Sequence, residues 1–289
     1  MASGKGGTGK TTVAVNFALS IEDVQLFDCD VEEPDCHLFL GLDLEKIEDV
    51  NILVPIVDRT KCDFCGKCSG FCQFNAIAVL PEDILVFPAL CHGCGGCALV
   101  CPKAAIVYKN RSIGIIEKAK EKAKGENLEF YSGALNIGEA LVSAVIKVLK
   151  KYADESKTVI FDAPPGTTCP VITSVRGSDY CILVAEPTLF GFHDLLLTID
   201  VIKKLGIPFG IIINRSDIGD DRVEKYCETE GIPVLMKIRH DREIARLYSE
   251  GIPFVSRMPE WREKFVQLLD KIRVQLASEE AGNLKEAGT

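Results

Sequence analysis

Residues 1–20 read MASGKGGTGKTTVAVNFALS. Gly4 to Thr11 fit the pattern G-x4-G-K-[ST], a glycine-rich turn that opens a helix. Gly4, Gly6, Gly7 and Gly9, with Thr8 among them, can turn successive backbone N–H groups toward a phosphate. The helix N-terminus that follows adds partial positive charge. Lys10 is placed to reach the β and γ phosphates, and the Thr11 hydroxyl to ligate Mg²⁺. Gly4 through Thr12 is therefore read as a phosphate site. A bare glycine-rich turn is the competing reading, but a helix-period apolar run (Val13, Phe17, Ala18) follows at once. Only Met1, Ala2 and Ser3 precede Gly4. The strand expected before such a loop is therefore short, or the chain starts further upstream.

Working outward, Val24–Asp30 (VQLFDCD) reads as a buried strand ending in two carboxylates. Thr158–Thr168 (TVIFDAPPGTT) is a second apolar strand, ending in Asp162 before a Pro-Pro-Gly turn. From Tyr180 onward strands (YCILVAEP, 209–215, 232–238) alternate with helices (191–205, 221–230, 241–250). Continuous apolar strands separated by helices predict an α/β fold with a mostly parallel sheet covered on both faces. Helical periodicity also runs through 136–152. The last helix, 259–277, carries Trp261, Phe265, Leu268 and Ile272 on one face and is expected to dock on the sheet. Residues 117–127 read as a solvated turn or helix, and 278–289 as a disordered tail.

A different pattern interrupts this alternation. Residues 58–109 hold eight of the thirteen cysteines, as Cys62, Cys65, Cys68, Cys72 and Cys91, Cys94, Cys97, Cys101. Both runs are spaced C-x2-C-x2-C-x3-C, and each cysteine recurs 29 residues later. A cubic iron–sulfur cluster needs four thiolates, and a tight loop can wrap three. Zinc knuckles, the competing reading, use paired C-x2-C units. This stretch resembles bacterial-type two-[4Fe–4S] ferredoxin modules, where the last cysteine of each run serves the other cluster. The resemblance implies one cluster on Cys62, Cys65, Cys68 and Cys101, and another on Cys91, Cys94, Cys97 and Cys72. Gln73 stands where that family usually has proline; Pro102 keeps the pattern.

The string KGGTGKTT, with its second lysine Lys5, resembles the deviant phosphate loop of the MinD superfamily, which includes the nitrogenase iron protein and iron–sulfur carrier ATPases. The resemblance implies a P-loop NTPase fold and an ATPase that pairs on MgATP, with Lys5 touching phosphate across the dimer. It gives Asp30 the attacking water and Asp162 a place beside Mg²⁺. It gives Gly166 a backbone N–H toward the γ-phosphate, Asn214 the adenine edge, and Arg215 a place over the base. Asp28 is left as a hydrogen-bond partner. Cys169 lies seven residues after Asp162. A buried structural thiol is the expected reading; a bridging role at a dimer axis is the alternative.

The net charge of −9 argues against nucleic acid or an anionic membrane surface as main partner. No apolar run reaches spanning length, so a cytoplasmic protein is expected, where clustered thiols are metal ligands rather than disulfides. The expected organisation is an ATPase domain from 1–57 and 110–277 with an inserted α+β ferredoxin domain at 58–109. The expected function is ATP-gated electron transfer with an unknown donor or acceptor. The alternatives are an assembly or carrier ATPase serving an apo-protein client, and a partitioning-type ATPase with structural clusters. The partner on ATP is a second copy or a paralogous chain.

Overall fold

The computed structural model describes residues 1–120 and 128–286. From the phosphate loop, α1 (Lys10–Ala18) leads to β1 (Val24–Asp28), α2 (Cys36–Leu40) and the long β2 (Leu44–Val57). The cysteine-rich stretch follows: α3 (Lys67–Phe71), the hairpin β3 (Ile77–Leu80) and β4 (Asp83–Val86), and α4 (Gly96–Leu99). The equally long β5 (Ile106–Ala119) then returns beside β2, antiparallel from Leu44↔Ala119 to Val57↔Ile106. Next come β6 (Leu128–Leu135), α5 (Val142–Leu149), β7 (Thr158–Asp162), α6 (Cys169–Val175), β8 (Cys181–Ala185) and α7 (Leu189–Leu205). The chain closes with β9 (Phe209–Asn214), α8 (Arg222–Glu230), β10 (Val234–Ile238), α9 (Arg242–Ser249) and α10 (Glu260–Glu286).

Five strands lie in the order β2-β5-β6-β1-β7 and three in the order β10-β9-β8. Residues 1–3 join the two sets. Ala2 donates to the Ile182 carbonyl and accepts from Val184, while the Met1 carbonyl accepts from Ala163 just past β7. The short lead strand thus fills the slot between β7 and β8. Pairing is parallel from β6 through β1 to β7 and from β8 through β9 to β10; β2 and β5 form an antiparallel edge.

Alternate side chains of each strand face opposite layers, as the period of two requires. Leu26, Ile182, Val184 and Ile212 pack under α1 and α10, together with Trp261 and Phe265. Leu183, Ile211 and Ile213 face α6, α7 and α8, while Phe27 meets α5 on the same side. The last helix therefore docks on the sheet as its apolar stripe predicts. A fourth, separate core of Cys68, Ile77, Ile84, Cys97 and Ile106 lies within the cysteine-rich stretch.

Several boundaries differ from expectation. The helix read from 136 begins only at Val142. Leu135 and Asn136 donate to the carbonyls of Val31 and Ile113, so this backbone stays extended, and Ile137 is left exposed. The strand read at 51–57 starts earlier, at Leu44, and ends at Val57; β5 begins at Ile106, so the expected return to the host domain at 110 falls inside that strand. β5 takes in residues 117–119 of the expected solvated segment, and 121–127 lie outside the described residues. The final helix runs to Glu286, through most of the stretch read as a disordered tail.

Candidate functional site

A cleft of about 460 Å³ opens at the C-terminal ends of the parallel strands. Its floor is the phosphate loop from Lys5 to Thr12. Gly7 and Gly9 hold left-handed φ of 78° and 85°, a conformation that side chains resist. Gly4 is needed for another reason: a Cβ there would sit inside the backbone of Asp194. Thr8 Oγ1 is buried with no hydrogen-bond partner among the described residues. The other wall carries Phe39, Ile244, Tyr248 and Phe254, an apolar surface suited to a flat base.

Asp162 ends β7 and is fully buried. It accepts from Lys10 Nζ at 2.5 Å, from Thr11 Oγ1 at 2.7 Å and from Cys36 Sγ at 3.6 Å. Burial opposes the Lys10 ammonium, but the adjacent Asp162 carboxylate outweighs it and holds the lysine above its usual pKa. Asp28 accepts from the backbone N–H groups of Asp30, Asp35 and Cys36 at 3.0–3.1 Å. It therefore shapes the loop after β1, the supporting part read for it. Burial, reinforced by Asp162, pushes Asp28 up to about 7. Asp30 lines the cleft, and burial, opposed by Lys10, raises it to about 6. Asp28, Asp35 and Cys36 bring their ligand atoms within 4.8 Å of one another. With Thr11 and Asp162 next to them, the donor set is mostly hard oxygen and fits Mg²⁺.

Other expected residues are placed differently. The Gly166 N–H, expected to face phosphate, donates instead to the Ser3 carbonyl at 2.9 Å. Asn214 borders the cleft, but its amide donates to the Thr8 carbonyl at 2.8 Å and its oxygen accepts from Arg215 N. It braces the phosphate loop, and a Cβ at Gly9 would collide with it. Lys5 and Arg215 both line the cleft and both pair with Glu186, at 3.4 Å and 2.7 Å. Cys169, read as a buried thiol, is exposed at the first residue of α6. Asp35 and Cys36 were not singled out as site residues from the sequence, because only folding brings them to Asp162.

All thirteen cysteines are free thiols. Two small cavities lie in the cysteine-rich stretch. One is lined by Cys62, Cys65, Cys68 and Cys101, the other by Cys72, Cys91, Cys94 and Cys97. Each cavity thus takes three thiols from one run and the last thiol of the other. The 29-residue repeat extends to the backbone: Phe64 and Gly93, Gly66 and Gly95, and Asn75 and Ala104 all share positive φ. Cys72 Sγ accepts from Ala76 N at 3.3 Å, and Cys101 Sγ from Ala105 N at 3.4 Å. Such N–H donors stabilise thiolate charge. A tetrahedral zinc ion would hold its sulfurs about 3.8 Å apart. Among the described residues, no three cysteine sulfurs gather within even 4.8 Å. The sulfurs suit a larger, multi-atom group better than a single ion.

A parallel sheet with a phosphate loop at its centre and an aspartate ending the neighbouring strand defines a P-loop ATPase. Residues 1–254 match the CobQ/CobB/MinD/ParA nucleotide binding domain, and the chain belongs to that family. It is 32% identical over 258 residues to an uncharacterized protein of Methanocaldococcus jannaschii, covering 87% of this chain and 89% of that one. It is 25% identical to the iron-sulfur cluster carrier protein of Pyrococcus abyssi, covering 88% and 77%. Among solved structures, the septum site-determining protein MinD of Pyrococcus horikoshii, complexed with Mg-ADP, has a TM-score of 0.57 at 21% identity, covering 94% and 93%. No helix among the described residues is long and apolar enough to cross a membrane.

Proposed function

We propose that this chain couples MgATP binding and hydrolysis to electron transfer through two [4Fe–4S] clusters held by an inserted ferredoxin domain. The observation that carries the reading is the pair of cavities, each lined by a full set of four cysteines. Complete sets suit resident clusters rather than cargo. When bound, the clusters supply one-electron chemistry at potentials set by charge, hydrogen bonds and exposure.

This chain's own residues supply the nucleotide chemistry. The loop Gly4–Thr12 cradles the phosphates, and Lys10 neutralises charge on the transferred group. Thr11 and Asp162 hold Mg²⁺, and Asp30 orients the attacking water. Lys5 contacts the phosphate of a second copy, so the protein pairs on MgATP. The ribbon of β2 and β5 runs from the nucleotide-binding sheet directly into the cysteine-rich core, which gives a mechanical path between the two chemistries. The setting is cytoplasmic.

A second reading, a carrier or assembly ATPase for iron–sulfur centres, is favoured by the relatives named as iron-sulfur cluster carriers and by the exposure of Cys65 and Cys94, one in each cavity. An anaerobic redox titration followed by electron paramagnetic resonance, with and without MgATP, separates the two. Two cluster signals whose midpoints move with nucleotide support electron transfer. Unmoved midpoints together with cluster delivery to an apo-acceptor support the carrier.

A further inference from the structure

Glu186 follows the last residue of β8 and is 8% exposed. Its carboxylate accepts from Lys5 Nζ through one oxygen and from Arg215 Nη1 through the other. Its backbone is boxed in. Its carbonyl accepts from Thr188 N at 2.8 Å. A Cβ at Gly191 would collide with that same carbonyl, and one at Gly219 with the Pro187 carbonyl. The first turn of α7 and the loop after β9 therefore press directly on this corner. The two cations are the more exposed partners: the Lys5 side chain is 30% exposed and that of Arg215 48%, against 11% for Glu186.

Lys5 and Arg215 line the nucleotide cleft, whereas Glu186 does not. Lys5 is thus tied, inside its own subunit, to a carboxylate that lies outside the cleft lining. To turn fully toward a phosphate in another copy, the ammonium leaves this carboxylate. Reaching out exchanges one anion for another, and Glu186 sets the balance of that exchange.

We propose that Glu186 is a latch that retains Lys5 in its own subunit and thereby raises the MgATP concentration needed to pair two copies. The inference rests on the reading of Lys5 as a phosphate contact across the dimer. Arg215 keeps Glu186 occupied after Lys5 leaves, so release does not strand a nearly buried charge. A partly exposed ion pair weights such an equilibrium by up to about fivefold, and a symmetric dimer opens two, giving up to about 25-fold on pairing.

The test compares wild type, Glu186→Gln, Lys5→Ala and the double variant. Sedimentation is followed while the magnesium complex of adenosine 5′-O-(3-thiotriphosphate) is titrated. Gln keeps the shape and the acceptor for Arg215 and removes the charge. The expected result is that Glu186→Gln pairs at several-fold lower nucleotide, while in the Lys5→Ala background the same change does nothing. A second readout is the acylation rate of Lys5 by an amine-reactive ester in the nucleotide-free chain, read by mass spectrometry. It should rise several-fold in Glu186→Gln. An unchanged threshold beside a wild type that pairs, or an unchanged acylation rate, overturns the latch alone. A wild type that does not pair, or pairing indifferent to Lys5→Ala, overturns the dimer reading and the latch with it.

Discussion

Removing Asp162 should unbalance the phosphate site before any nucleotide is added. The carboxylate is fully buried, Lys10 is 6% exposed, and their charged atoms are 2.5 Å apart. Replacing Asp162 with Ala leaves a buried ammonium with no counter-charge of its own and removes the acceptor of Thr11 and Cys36. Breaking one side of such a pair costs about 3–5 kcal/mol. For a chain of this size that lowers the unfolding midpoint by about 10 °C. Lys10→Met strands the carboxylate in the same way. The double variant removes both charges, so its loss should fall short of the sum of the single losses by about 2 kcal/mol or more. Urea unfolding of the four proteins, followed by circular dichroism, measures that difference. Losses that add to within about 0.5 kcal/mol would refute the pair as a coupled unit.

Three further outcomes follow from other parts of the molecule. Because Cys72 lines the cavity of Cys91, Cys94 and Cys97, the pair Cys72→Ser/Cys91→Ser should lose about half the iron, and Cys72→Ser/Cys62→Ser nearly all of it; iron analysis of anaerobically reconstituted protein decides, and the reverse order sinks the crossed assignment. Asp28 titrates near 7 when folded against an ordinary 3.8. Between about pH 4 and 7 the folded state keeps a proton that the unfolded chain releases, so this group makes stability fall as pH rises, by up to about 1.4 kcal/mol per pH unit. Urea midpoints from pH 5 to 7.5 should show a shallower fall in Asp28→Asn. Gly4→Ala drives a Cβ into the Asp194 carbonyl and should cost about 1–3 kcal/mol, and calorimetry should find MgATP binding lost.

Much of the fold is readable before folding because its signals are local. Strands such as CILVA are continuous apolar runs, and the G-x4-G-K-[ST] spacing marks the phosphate loop. The 29-residue cysteine repeat reappears as a repeat of left-handed backbone positions. What the local signals did not show depends on contacts distant in sequence. Ile137 has the right spacing for a helix, yet bonds to Val31 and Ile113 hold the backbone before it extended. Gly166 follows the expected motif, yet Ser3, 163 residues earlier, takes its N–H. Cys169 was expected to be a buried thiol, but at the first residue of α6 it is exposed.

The sequence by itself determined the chemistry on offer: a phosphate loop, two acidic strand ends and two four-cysteine runs, each a short motif whose spacing carries its own geometry. Only the tertiary structure decided which groups meet. It slotted residues 1–3 between β7 and β8, joined Asp162 to Lys10, Thr11 and Cys36, and set Lys5 against Glu186 across 181 positions of chain. It also carried the β2–β5 ribbon unbroken from the nucleotide-binding sheet to the cysteine cavities. The physical reason is that motif spacing constrains a few neighbouring dihedrals, whereas a long-range pair forms only when the whole sheet and its two helical layers have packed.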